Sequence, residues 1–139
     1  VKNRDSLLLS KLIHKDENIT PLLITEDMLS IEFPLPLKFS IVTERSDNTD
    51  KVIFVQKNTL KYPLEIRKWK NGDYFYPIGL NRKKKLSKFF KDEKVDILAK
   101  EEKWLLCSNE QIVWIVGMRA DHRFSVADST QEILKIEFT

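Results

Sequence analysis

The chain reads as α+β, dominated by antiparallel strands with one short helix, and three observations predict this. Apolar runs of four to six residues, rich in Val, Ile and Phe, recur between polar stretches. One of them, Leu64-Glu65-Ile66-Arg67-Lys68-Trp69, alternates apolar and charged residues with the period of two that turns one strand face to a core. Once, the period lengthens: Leu86, Phe89 and Phe90 fall at i, i+3 and i+4, giving a helix from about Lys83 to Asp92 a single apolar stripe.

In chain order, strands are predicted at Ser6 to Ile13, Pro21 to Ile24, Phe39 to Thr43 and Val52 to Gln56. Polar stretches such as Lys15 to Asn18 and Ser46 to Asp50 separate them, and Pro34 and Pro36 interrupt the middle. The β-branched Val52-Ile53-Phe54-Val55 favours a buried strand over a helix. The alternating strand at Leu64 ends in the turn pair Asn71-Gly72. On the helix that follows, Lys84, Lys85, Lys88 and Lys91 cannot share the apolar face and are expected as one exposed ridge. A polar stretch compatible with helix, Ile97 to Lys103, leads to a hairpin of Trp104 to Cys107 and Ile112 to Val116 joined by the four residues Ser108 to Gln111. Arg123 to Val126 and Ile133 to Phe138 read as two further strands around the turn Asp128-Ser129-Thr130.

Composition narrows the function classes. A chain of 139 residues buries about two-thirds of its unfolded surface and folds without staples. The single Cys107 excludes an internal disulfide or a multi-cysteine zinc site and suits a reducing cytoplasm, the expected location. The longest apolar run near the start, Leu7 to Leu9, is too short to span a membrane, and no membrane partner is expected. Net charge is only +3, but it is unevenly spread. Residues 1–60 sum to −1 and residues 95–139 to −3, whereas residues 61–94 hold eleven Lys/Arg against four Asp/Glu, a block of +7. Nucleic acid is the commonest partner of such a block, because each neutralised phosphate releases counterions. A solvated helix face is the alternative.

Catalytic inventories fail. His14 and His122 share no ligand spacing with each other or with Cys107, so no metal site is expected. Cys107 ends an apolar strand and reads as a small core side chain. No nucleophile-elbow or phosphate-loop motif occurs, and Gly72 and Gly79 are separated by the bulky Asp73-Tyr74-Phe75-Tyr76-Pro77-Ile78. These glycines read as turn residues, with Asp73 stabilising the turn.

The run Arg67-Lys68-Trp69-Lys70-Asn71-Gly72-Asp73-Tyr74-Phe75-Tyr76-Pro77-Ile78-Gly79 resembles the C-terminal domain of tRNA(Ile)-lysidine synthetases: an Arg, a Gly-Asp pair, Pro-x-Gly, then a lysine-rich helix start. Lys83 to Lys94 resembles the family's basic helix, and Ile112 to Arg119 followed by Arg123 to Val126 resembles its closing strands. The match runs from about residue 61 to the end; residues 1–60 form a β-rich segment preceding a C-terminal tRNA-binding domain of residues 61–139.

The resemblance implies a sandwich-like module similar to one in a phenylalanyl-tRNA synthetase subunit. It further implies a parent enzyme that uses ATP, with Mg, to activate C2 of the wobble cytidine of tRNA(Ile) and join lysine there, changing codon reading from AUG to AUA. The family's S-G-G-x-D-S type loop is absent here, so the catalytic N-terminal domain is missing, Val1 reads as a cut end, and no cofactor is expected on this piece. Its implied partners are tRNA(Ile), gripped on the acceptor-stem side, and that catalytic domain; a homodimer stays compatible with it. An A-form stem offers phosphates and 2′-hydroxyls to a ridge of cations. The expected contacts are Arg67, Lys70, Arg82, Lys83, Lys84, Lys85, Lys88, Lys91, Arg119 and Arg123, with Gly72, Asp73, Pro77 and Gly79 as structural turns. Two arginines have alternatives: Arg67 can pair with Asp73 or Asp92, and Arg123 with Asp121 or Asp128. Trp69, Tyr74, Phe75 and Tyr76 can stack on an unpaired base or edge the core. The competing class is a β-rich protein-interaction or dimerisation module whose lysine helix is merely solvated.

Overall fold

The computed structural model describes residues 22–80, 82–128 and 130–139. The strand expected at Ser6 to Ile13 and the residue Pro21 lie outside these. The first four-stranded sheet has the order β1 (Leu22–Ile24), β5 (Leu64–Lys68), β8 (Trp104–Ser108), β9 (Gln111–Ile115), antiparallel throughout. The second has the order β2 (Ser30–Ile31), β3 (Leu37–Val42), β10 (Ile133–Phe138), β4 (Val52–Gln56), also antiparallel. A two-stranded ribbon, β6 (Tyr74–Phe75) with β7 (Lys84–Lys85), and two short helices, α1 (Leu86–Asp92) and α2 (Ile97–Glu101), complete the α+β fold.

Period-two alternation explains how the first sheet serves two cores. Ile24, Leu64, Ile66 and Leu106 face the second sheet and join Leu37, Ile53, Val55 and Ile136 in one cluster. Leu105 and Cys107 point the other way, where Phe75, Leu86, Phe89 and Phe90 cover them. Four consecutive residues of β8, Leu105 to Ser108, are therefore buried. A register shift lets Val113 join its neighbour Trp114 in the inter-sheet core, while Ile112 and Ile115 serve the other.

Several predicted elements change. The hairpin loop is two residues, not four: Ser108 pairs with Gln111, and Asn109 (φ 49) and Glu110 (φ 69) turn in the left-handed region that a right-twisted hairpin demands. The segment Arg123 to Val126 is not a strand. His122–Phe124 forms a 3₁₀ turn because the Asp121 side chain accepts the Arg123 N–H, and only Ser125 bridges a strand, at Val55. Helix α1 starts at Leu86 and not at Lys83; Lys84 and Lys85 are first taken up as β7 by pairing with Phe75 and Tyr74. No side chain caps α1, and its first N–H is satisfied instead by the Asp73 carbonyl at 2.9 Å.

Candidate nucleic-acid interface

The basic block folds around the β6–β7 ribbon, which two arginine–aspartate pairs anchor. Gly72 (φ +94) turns the chain after β5, and the Asp73 carboxylate accepts from Arg67 Nη1 at 2.9 Å, Arg67 Nη2 at 3.0 Å and the Lys70 N–H at 2.7 Å. Burial opposes the Arg67 charge, but the Asp73 hydrogen bond, together with the acidic groups around it, outweighs it and the guanidinium pKa is raised. At the far end of the ribbon Asp121, 1% exposed, accepts the Tyr76 N–H at 2.9 Å and holds Arg123 through Nη2 at 2.8 Å and Nε at 3.1 Å. Of the partners open to each arginine, Arg67 takes Asp73 and Arg123 takes Asp121. Pro77 bridges Asp121, and Gly79 (φ +93) turns the chain away toward β7.

The ribbon's register sorts the lysines. Phe75 is fully buried, so Lys84 opposite it is drawn to the inner side, where its ammonium lies 2.7 Å from Asp92. Hydrogen bonds from Lys84 and Lys88 hold the Asp92 carboxyl below its ordinary range. Tyr74, opposite Lys85, faces outward and is 44% exposed. Lys83 lies over the Tyr74 ring at 4.7 Å, Tyr74 and Tyr76 meet edge to face at 6.2 Å, and the Arg123 guanidinium covers Tyr76 at 4.3 Å. The lysines thus do not form one ridge on a helix: Lys83 leads into the ribbon and Lys85 sits on it, Lys88 and Lys91 lie on α1, and Lys84 turns to a carboxylate.

Lys70, Arg82, Lys83, Lys85 and Lys91 are exposed and enter no ion pair among the described residues. Arg119 lies 4.0 Å from Glu93 and over the Phe89 ring at 5.7 Å, rimming a hollow of about 150 Å³ with Gly79 and Lys84. Sequence reasoning missed that Asp121 holds the Tyr76 backbone as well as Arg123, and that Asp92 gathers two lysines. The i, i+4 spacing of Lys88 and Asp92 was the available signal for the second. Of the aromatics, Phe75 is core, Trp69 packs edge to face on Phe90, and only the tyrosines line the outer ribbon face.

All three glycines sit in turns at positive φ. No group of three or more His, Cys, Asp or Glu able to hold a metal ion occurs among the described residues. None of their helices is long and apolar enough to cross a membrane.

Residues 64–137 match the family described as the TilS substrate C-terminal domain. The chain is 37% identical over 142 residues to a tRNA(Ile)-lysidine synthase of Parabacteroides distasonis, an alignment covering 99% of this chain and 32% of that protein. It is 32% identical to one of Bacteroides thetaiotaomicron, over 96% of this chain and 29% of that protein. It therefore spans about a third of the length of these curated relatives. The fold is shared with a crystal structure of a TilS C-terminal domain, at TM-score 0.63 and 18% identity over 86% of this chain and 92% of that one. Sharing both the family's sequence pattern over more than half its length and the fold, this chain belongs to the TilS substrate C-terminal domain family.

Proposed function

We propose that this chain is the tRNA-gripping C-terminal part of a cytoplasmic tRNA(Ile)-lysidine synthase, which uses ATP to join lysine to C2 of the wobble cytidine. ATP and the lysine transfer belong to a catalytic portion outside this chain; the role here is to hold the acceptor-stem side of the tRNA. The observation that carries this reading is a set of exposed cations that enter no ion pair among the described residues: Arg82 and Lys83 leading into the ribbon, Lys85 on its strand β7 and Lys91 on α1, in the layer outside the first sheet. Lys88, its side chain 66% exposed, can exchange Asp92 for a phosphate at little expense, because water screens an exposed pair and leaves it little net attraction. Arg67 and Arg123 act by fixing the ribbon from its two ends.

The test is tRNA affinity against salt. Lys83→Ala with Lys85→Ala should weaken binding, flatten the salt dependence by about one counterion for each lysine, and leave thermal stability unchanged. Unaltered affinity in the double variant overturns the assignment. A protein-interaction role has its own observation: Leu29 (74% exposed) and Phe33 (83% exposed) stand out from the β2–β3 region of the second sheet, in a different layer from the lysines. If the chain fails to bind tRNA at low salt, that role leads.

A further inference from the structure

The outer face of the ribbon carries more than charge. Lys83, Tyr74, Tyr76 and Arg123 form a continuous series of cation, ring, ring and cation, with spacings of 4.7, 6.2 and 4.3 Å. A duplex grip needs none of the rings, since an A-form stem presents phosphates and hydroxyls and keeps its bases stacked. Nor does the core need Tyr74, which is 44% exposed, whereas Phe75 beside it is fully buried and Tyr76 is half-buried. Beside this series the surface dips. A hollow of about 90 Å³ opens between Tyr74 and Arg123, and its wall includes Glu110 and Gln111 at the β8–β9 hairpin. The Gln111 amide can donate and accept, and Glu110 can accept, which are the functions that a base edge answers.

We propose that this face is a stacking platform for unpaired nucleotides of the bound RNA, with Tyr74 and Tyr76 receiving base faces, Gln111 and Glu110 meeting a base edge, and Lys83 and Lys85 holding the flanking phosphates. The inference rests on the tRNA-gripping reading and adds a single-stranded contact to it. Lys83 is exposed and reaches Tyr74 only through its flexible stem, so an arriving base can take the ring while the ammonium moves to the phosphate. Arg123 cannot move in this way, because Asp121 fixes it over one face of Tyr76 and leaves the other to a base. The platform is therefore rigid at Tyr76 and adaptable at Tyr74.

Two RNA hairpins with the same stem, one blunt and one ending in four unpaired 3′ nucleotides, test this against the 139-residue chain. The overhang should tighten binding about tenfold. Tyr74→Ala should abolish that advantage while leaving affinity for the blunt hairpin unchanged, and Tyr74→Phe, which keeps the ring, should retain it. Equal affinity of the wild-type chain for both hairpins overturns the platform and leaves the duplex grip standing. An overhang advantage that survives both Tyr74→Ala and Tyr76→Ala also overturns it, placing the contact elsewhere. If neither hairpin binds at low salt, both readings fall.

Discussion

Arg67 and Asp73 show how a residue pair can define a binding face without touching the ligand. With side chains only 18% and 9% exposed, Arg67 donates two hydrogen bonds to Asp73, which also accepts the Lys70 N–H. Asp73→Ala leaves the guanidinium half-buried and unpaired and should cost about 3 kcal/mol, read as a lower denaturant midpoint at unchanged slope. Asp73→Asn, which keeps an acceptor for Lys70, should cost less. Cys107 lies on the adjacent strand, and burial raises its thiol from an ordinary 9.0 to about 11. As pH rises through that interval the unfolded chain gives up the thiol proton before the folded chain does, so the folded state binds more protons and loses stability. Wild type should therefore fall in stability relative to Cys107→Ala between about pH 9 and 11; parallel profiles would refute a buried thiol.

At the scale of elements, the strands with strong patterns were legible and the short, mutually dependent ones were not. Val52–Gln56 forms as its β-branched run predicts, and the alternation of Leu64 and Ile66 places both in the inter-sheet core. Lys84 and Lys85 were opaque because nothing in their own composition favours a strand; pairing with Tyr74 and Phe75 overrides their helical neighbourhood. The same reason hid which lysines face outward, since only ribbon register separates Lys85 from Lys84. The hairpin turn was hidden differently. Its second residue, Glu110, holds φ 69 where glycine is the favoured occupant, so the usual Asn-Gly signal is missing. Glu110→Gly should relieve that conformation and stabilise the fold by about 1 kcal/mol, measured by thermal unfolding. A loss of stability would mean that Glu110 makes compensating interactions through its side chain.

For the whole molecule, the decisive fact is where the last strand goes. Ile133–Phe138 pairs on one side with Leu37–Val42 and on the other with Val52–Gln56, both of which precede the family match at residues 64–137. The first sheet's inner residues Leu64, Ile66, Leu106 and Trp114 likewise pack on Leu37, Ile53 and Val55. Local pattern cannot reveal this closure, because partners that lie far away in the sequence leave no trace in a strand's own alternation. Energetically it means that residues 61–139 alone would present Ile136 and Leu134 with no sheet to join and expose one face of the first sheet to water. At about 25 cal/mol per Å² of apolar surface, losing a whole inter-sheet core exceeds the 5–15 kcal/mol that a domain has in reserve. A fragment of residues 61–139 should accordingly show no cooperative thermal transition, whereas mixing it with a separate chain of residues 1–60 should restore one. A sharp transition in the fragment alone would show that the second core, around Phe75, Leu86, Phe89 and Phe90, suffices to hold the ribbon, and with it the cation row, in place.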